Sequence, residues 1–377
     1  MNSPGLTPNT VTVRGLDHGS TQPMTLSLRP ADETDRAGWN AFLASRPEGD
    51  VLQTWAWGLA GADDPDERWS RLLVVDGGGH IRGVAQILDH STLLGRSVLY
   101  VPHGPVWDRD ASDSAEVLAR LLTGLKAHAR RQRGVTLKLD PRGTGDAAAD
   151  AAFSRALRTT AQSAVHDLQA ACTRIVDLTA GDDPTAGWTT DARAQARRAE
   201  AQGTTVVVDR RGDEALLDAF HELLASAAEG TGMPVRSRRF LSRLSRSLVA
   251  SDDWFMAIAE HDGLPLAGAI APRCADRAYY LYAASVGDPV PEALSGPYAV
   301  MAALQRALRD AGTTSLDLWG VHDGDEADAH PGREGSQAFK RSFGGTVLRH
   351  PGTFDIVIDP TSSHIRHLRE RLSGARS

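Results

Sequence analysis

Cysteine is nearly missing from this chain. Cys172 and Cys274 are its two thiols, far apart and without a CxxC partner, which excludes a disulfide framework and a zinc knuckle and fits a reducing cytoplasm. No apolar run approaches the roughly 20 residues that a membrane helix needs, so no transmembrane segment is expected. Excess positive charge is missing too. With 41 Lys+Arg against 48 Asp+Glu the net charge is −7, which excludes a protein that coats nucleic acid through its overall charge and leaves only local RNA contacts. Residues 1–23 lack the apolar core of a secretory signal and read as a disordered leader. No P-loop, GxSxG elbow, HExxH or dinucleotide fingerprint stands in a strand-to-helix context, which removes the common kinase, hydrolase, metalloprotease and dehydrogenase readings. The glycine-rich pyrophosphate loop that acetyl-CoA enzymes use is also missing, which disfavours acetyl transfer. The acidic stretch HDGDEADAH (322–330) has carboxylates and histidines without metal-ligand spacing, so no metal is expected.

What the chain does contain is one unit written twice. RLLVV (71–75), a glycine turn and IRGVAQIL (81–88) predict a hairpin, and WFMAIAE (254–260), Asp262-Gly263 and LPLAGAIA (264–271) predict another. An aromatic strand follows each, SVLYVP (97–102) or AYYLYAAS (278–285). Next come helices over about 114–133 and 296–311, with Val117, Leu121, Leu122 and Leu125, or Val300, Leu304 and Leu308, at helical spacing. Gly134 and Gly312 are expected as the C′ residues of those helices, and VTLKLD (135–140) and SLDLWG (315–320) as the strands beyond them. Helical sequence precedes each hairpin, over 33–46 and 213–229. The expected fold is therefore α/β of the α+β kind, with two similar acyltransferase-like domains (24–170 and 171–353) of mixed, mostly antiparallel sheets flanked by helices. At 377 residues, 41% of them hydrophobic, the chain is long enough to give each domain its own core.

Five places could carry chemistry. In SQAFKRSFGGTVLRHPGTFDIVI (336–358), Phe339-Lys340 stands at a helix-to-glycine junction, where an ammonium among aromatic rings can face developing negative charge. A solvated lysine beside a Gly-Gly turn has the same pattern. Asp140, before Pro141, ends a strand where a sheet presents groups to ligand and could orient an amine or take its proton; Asp-Pro is also a common turn opener. In YVPHGPVWD (100–108), His103 and the backbone at Gly104 could line a groove, or form a rigid turn and nothing more. Strand alternation puts Tyr280 and Tyr282 on one face and Tyr279 on the other, so that one face supplies hydroxyls to a groove while the other is core. Arg193, Arg197 and Arg198 on a helix, and the run Arg236, Arg238, Arg239, Arg243 and Arg246, could grip phosphates or be solvated helix faces.

Taken in order, QTWAWG (53–58), GVAQIL (83–88), YVPHGPVWD, LKLDP (137–141), YLYAAS (280–285), LDLWG (316–320) and AFKRSFGG (338–345) resemble the pattern of the Fem-type family, the non-ribosomal peptidyltransferases that build peptidoglycan interpeptide bridges. The resemblance covers residues 24 to 358. It implies tandem acetyltransferase-like (GNAT) domains, with the segment 354–377 returning to the first. It also implies an aminoacyl-tRNA donor, a muropeptide or lipid-linked peptidoglycan precursor as acceptor, proximity to the membrane surface, and no cofactor. Glycine or another small residue is the expected group transferred. By the same resemblance Lys340, beside Phe339, stabilises the tetrahedral intermediate, Asp140 lies near the acceptor amine, and Tyr282 belongs to the groove. Two departures concern the acceptor. Family members that bind a nucleotide-linked muropeptide have a Lys after the Gln-x-x-x-Trp motif and an Arg at the end of the second-domain helix. Here LAGADDPDER (59–68) has no Lys and Gly230 replaces the Arg, leaving Arg68 or Arg236 to compensate. The short helix near 189–202 also implies that the family's long coiled-coil arm is missing. Alternatives are the same reaction on a natural-product intermediate, an acyl-CoA-dependent N-acyltransferase, and a non-catalytic module binding RNA or peptide.

Overall fold

The apolar alternation of the hairpins sorts side chains between cores, as a period of two requires. Leu72 and Val74 enter one core and Leu73 and Val75 another. The computed structural model describes residues 25–62, 67–91, 95–181, 183–229, 235–286, 294–322 and 334–361. The expected leader, the acidic stretch from 323, Gly230 and the tail beyond 361 lie outside them.

The first half runs β1 (Ser27–Pro30), α1 (Arg36–Ala44), α2 (Trp55–Gly61), β2 (Glu67–Val75), β3 (Ile81–Ser91), β4 (Ser97–Pro102) and β5 (Val106–Trp107). It continues with α3 (Ser114–Arg131), β6 (Gly134–Asp140), α4 (Ala147–Leu157) and β7 (Gln162–Ser163). The second half runs β8 (Cys172–Asp177), α5 (Thr190–Ala201), β9 (Thr205–Asp209), α6 (Glu214–Ala228), α7 (Arg238–Val249), β10 (Met256–His261) and β11 (Leu264–Ile270). Then follow β12 (Arg273–Cys274), β13 (Arg277–Tyr279), β14 (Tyr282–Ser285), α8 (Gly296–Asp310), β15 (Ser315–Val321), α9 (Glu334–Arg341), β16 (Thr346–Arg349) and β17 (Phe354–Val357). Two helices, a hairpin, a strand, a helix and a strand thus recur in the same order, and the chain is a tandem pair of acetyltransferase-like units.

The sheets differ between the halves. The first is a single sheet in the order β1-β2-β3-β4-β6-β17-β7, with β5 beside β3. The second is divided into β14-β11-β10-β9 and β12-β13-β15-β8-β16. β17 pairs antiparallel with β6, Phe354 opposite Leu139 and Asp355 opposite Lys138. A buried ion pair, Lys138 Nζ to Asp355 Oδ1 at 2.7 Å, fastens that return.

Each half has its own core, and a third lies between them, where Trp39, Trp55 and Trp57 meet Phe220, Phe240, Trp254 and Tyr279. The rings of Trp57 and Phe240 pack edge to face at 5.4 Å. The QTWAWG and GVAQIL motifs owe their glutamines to this packing. Gln53 Nε2 donates to Pro102 O (2.6 Å) and its Oε1 accepts from Gln86 N (2.8 Å), while Gln86 Nε2 donates to Leu52 O (2.9 Å). Buried amides so paired fix the turn before α2 to β3. Gly312 takes the left-handed position after α8, as expected; after α3, Arg133 takes it at φ 55° and Gly134 opens β6.

Candidate active site

The site begins where the second sheet comes apart. β13 pairs parallel with β15 as far as Tyr279 opposite Asp317, whereas β14, three residues on, pairs with β11 from Tyr282 opposite Ile270. The strands therefore diverge beyond Tyr279. In the first half the corresponding pair, β4 and β6, stays joined to its end, Pro102 opposite Asp140. This break corrects the expected alternation of the tyrosines. Tyr279 is buried in the core between the halves and Tyr282 packs against that same core, while Tyr280 is buried in the core of the second half.

Lys340 lies at the end of α9, and its ammonium donates to Gly320 O at 2.8 Å, on the strand bordering the opening. Phe339 anchors the helix by packing edge to face on Tyr298 of α8 (5.2 Å) and on Phe343 (4.6 Å). Gly320 passes so close to the linker between the halves that a Cβ on it would stand 2.8 Å from the Cβ of Ala170. The neighbouring Gln169 donates its N–H to Asp140 Oδ2 at 3.0 Å, and Tyr100 donates its hydroxyl to the same oxygen at 3.1 Å. Lys340, through Gly320, and Asp140 thus both reach the one linker. Asp140 is 2% exposed, and burial raises its carboxyl above the usual range.

Beyond His103, the rest of the seam was not legible in the sequence. A register shift between Asp317 and Gly320, with Trp319 at φ 61°, breaks the pairing of β15 with β8. The Trp319 ring packs at 5.1 Å on His103 and at 6.2 Å on Tyr279. Behind them Arg142, 1% exposed, bridges Asp50 (3.0 Å) and Asp317 (2.7 Å), carboxylates from opposite halves. Asp317 also accepts from the Thr173 hydroxyl and, at 2.8 Å, from Trp319 N. His103 Nδ1 is 2.9 Å from Asp50 Oδ2. Burial opposes ionisation of Asp50, but His103 and Arg142 beside it hold its carboxyl well below the usual range. The signal that could have found this network is the third residue of Asp140-Pro141-Arg142: an Arg two residues past the end of a strand that is buried along its length needs a buried partner.

Of the other expected groove residues, Gly104 has a packing role, since a Cβ there would lie 2.8 Å from the Gln53 amide. Arg236 pairs with Glu67 of the first half (3.3 Å), lies over the Phe240 ring and stands beside Tyr282, whose ionised form it favours. Beside this group a pocket of about 540 Å³ opens between the end of α6 and β14, lined by Leu224, Val235, Leu281 and Tyr282. Leu217 and Phe220 of α6 lie in the core between the halves and Val300 and Leu304 of α8 in that of the second half, so the two helices cover opposite faces of the divided sheet. Among the described residues no cluster of His, Cys, Asp or Glu could hold a metal ion, and no helix is long and apolar enough to cross a membrane.

His350, buried beside His103 at 5.3 Å between ring centres, accepts a hydrogen bond from Gly143 N at 3.1 Å. Burial first, then His103 and Arg142, press its pKa down to about 3. An unfolded chain's histidine titrates near about 6.5, so the unfolded state holds one more proton below that pH. Stability should therefore fall as pH drops from about 6.5 towards about 3, by up to about 1.4 kcal/mol per pH unit from this group. Urea denaturation across that window should show a shallower pH slope for His350→Asn, and an unchanged slope would remove His350 as the source.

Residues 188–341 match the family described as the acetyltransferase (GNAT) domain. The chain is 25% identical to a lipid II:glycine glycyltransferase of Staphylococcus epidermidis over 404 aligned residues, which span 89% of this chain and 95% of that protein. Among solved structures, FemX aligns with a TM-score of 0.76 at 19% identity, over 90% of this chain and 100% of that one. A tandem GNAT protein from the clavulanic acid biosynthesis pathway gives 0.53 at 14% identity, over 89% and 99%. The chain is thus similar along nine-tenths of its length to the staphylococcal glycyltransferase and shares its doubled fold with FemX.

Proposed function

We propose that this protein is an aminoacyltransferase which moves an amino acid, glycine or another small residue, from aminoacyl-tRNA to an amine of a lipid-linked peptidoglycan precursor. The observation that carries the reading is the parting of β14 from β15 in the second half alone, with Lys340 held on Gly320 at its edge. A parted sheet gives an acyl group a passage between two faces. The donor ester enters from the face of α8 and α9, and the acceptor approaches from the face of α6, past Tyr282 and Arg236. The glycyl donor and the lipid-linked acceptor are taken from the activity named for the staphylococcal relative.

The ester is already activated, so placement supplies much of the catalysis. The amine nitrogen bonds to the ester carbonyl carbon, and the carbonyl oxygen becomes an oxyanion facing the Lys340 ammonium. Collapse breaks the bond to the ribose oxygen, which takes a proton as the amine nitrogen gives one up. Asp140, with its carboxyl made more basic by burial, orients the amine from the first half of the seam. Arg236 and the pocket beside it hold the peptide of the acceptor.

Purified protein incubated with labelled glycyl-, alanyl- and seryl-tRNA and the lipid-linked precursor should transfer label to the precursor, and ribonuclease pretreatment of the donor should abolish the transfer. Transfer from an acyl-CoA instead, or none from any competent donor, would overturn the reading.

A further inference from the structure

A second recess, of about 520 Å³, lies between α5 and α8 on the face of the sheet that carries Lys340. Arg193 and Arg197 line it from α5, Arg306 from α8, and Trp188 and Thr204 complete its walls. Arg193 and Arg197 are one helical turn apart and so project to the same side. Arg193 donates to Ala186 O at 2.9 Å, and none of the three arginines donates to a carboxylate among the described residues. Asp183 and Glu200 also border the recess. The Asp183 carboxylate is engaged by the N–H (2.9 Å) and hydroxyl (2.8 Å) of Thr185 and interacts with Arg306 and Arg193 only through its field. Three guanidinium groups thus converge on one concave wall of a protein whose net charge is −7.

The recess is connected to the opening in the sheet by aromatic packing. The Trp188 ring packs at 4.6 Å on Phe343, which packs at 4.6 Å on Phe339, the residue beside Lys340. We propose that this recess binds the phosphodiester backbone of the donor RNA near its acylated end, with Arg193, Arg197 and Arg306 as the phosphate ligands. This inference rests on the aminoacyl-tRNA reading given above. Guanidinium groups match phosphate oxygens in a fork geometry. Their position inside a recess suits a strand that threads past the protein, since a flat lipid surface would meet basic side chains on a convex face. The charge is local, as a protein acidic overall requires if it is to bind RNA at all.

The test is fluorescence anisotropy with the full-length protein and a labelled single-stranded RNA of about 12 nucleotides, over roughly 50 to 200 mM KCl. Arg197→Ala/Arg306→Ala should weaken binding at least about tenfold at the lower salt and reduce the log–log salt slope by about 1.4, about 0.7 for each phosphate that is no longer neutralised. Arg197→Lys/Arg306→Lys should regain most of the slope, because the charge is kept. Lys340→Ala should bind like the parent. Both arginines are exposed, so the substitutions leave the packing intact, and an unchanged thermal melt checks this. Unchanged affinity and slope in the double alanine variant would overturn the proposal. So would arginine-dependent binding to phosphatidylglycerol vesicles with none to RNA. Arginine-dependent RNA binding without any aminoacyl transfer would sink the proposed reaction and leave the site standing. RNA-dependent transfer with an unchanged donor KM in the double variant would do the reverse.

Discussion

Lys340→Ala should lower kcat for aminoacyl transfer by roughly 10²- to 10³-fold, or about 2.7–4 kcal/mol, and leave KM for both substrates near the parent values. The side chain donates to Gly320 O at the edge of the parted strands, and Phe339 and Phe343 hold its helix in place. In the proposed reaction a donor fixed in this way meets charge that exists only in the transition state, so its loss should appear in kcat. Lys340→Arg should recover little, because a planar fork on a different stem cannot put its charge where the ammonium stood. Steady-state kinetics with each substrate varied in turn will decide. A kcat within about threefold of the parent in Lys340→Ala would show that the ammonium faces no developing charge.

Arg142→Ala should destabilise the protein by about 3–5 kcal/mol, the cost of leaving buried carboxylates without their counter-charge. Asp50 and Asp317 are fully buried, come from opposite halves, and share this one guanidinium. Losing it would set two anions facing each other across the seam, so the damage should fall on the joining of the halves as well as on overall stability. Added salt should not rescue the variant, because mobile ions screen buried pairs poorly. Combining Arg142→Gln with Asp50→Asn and Asp317→Asn should regain part of the loss: the charges vanish together while the amides still accept from Leu52 N, Trp319 N and the Thr173 hydroxyl. Urea denaturation of the single and triple variants measures both effects, and a loss under about 1 kcal/mol in Arg142→Ala would contradict this account of the seam.

The sequence by itself determined the doubled order of elements, because alternation at period two and apolar spacing at period 3.6 are local properties of β2, β3, β10, β11, α3 and α8. It also singled out Lys340 and Asp140, since a Phe-Lys pair before Gly-Gly and an Asp-Pro at a strand end are patterns of adjacent residues. What it could not determine depends on residues far apart in the chain. Tyr280 and Tyr282 fall in different cores because the strand changes partners between them, from β15 to β11, and that exchange follows from what lies on either side. Gln53 and Gln86, read as motif letters, are a buried amide clasp. Arg142 becomes a bridge only when Asp50 and Asp317 arrive from 92 positions before it and 175 after it. Charge pairing across such separations leaves no periodic trace in either segment. Tertiary structure alone therefore decided where the two halves meet, and with that which polar groups surround the opening in the sheet.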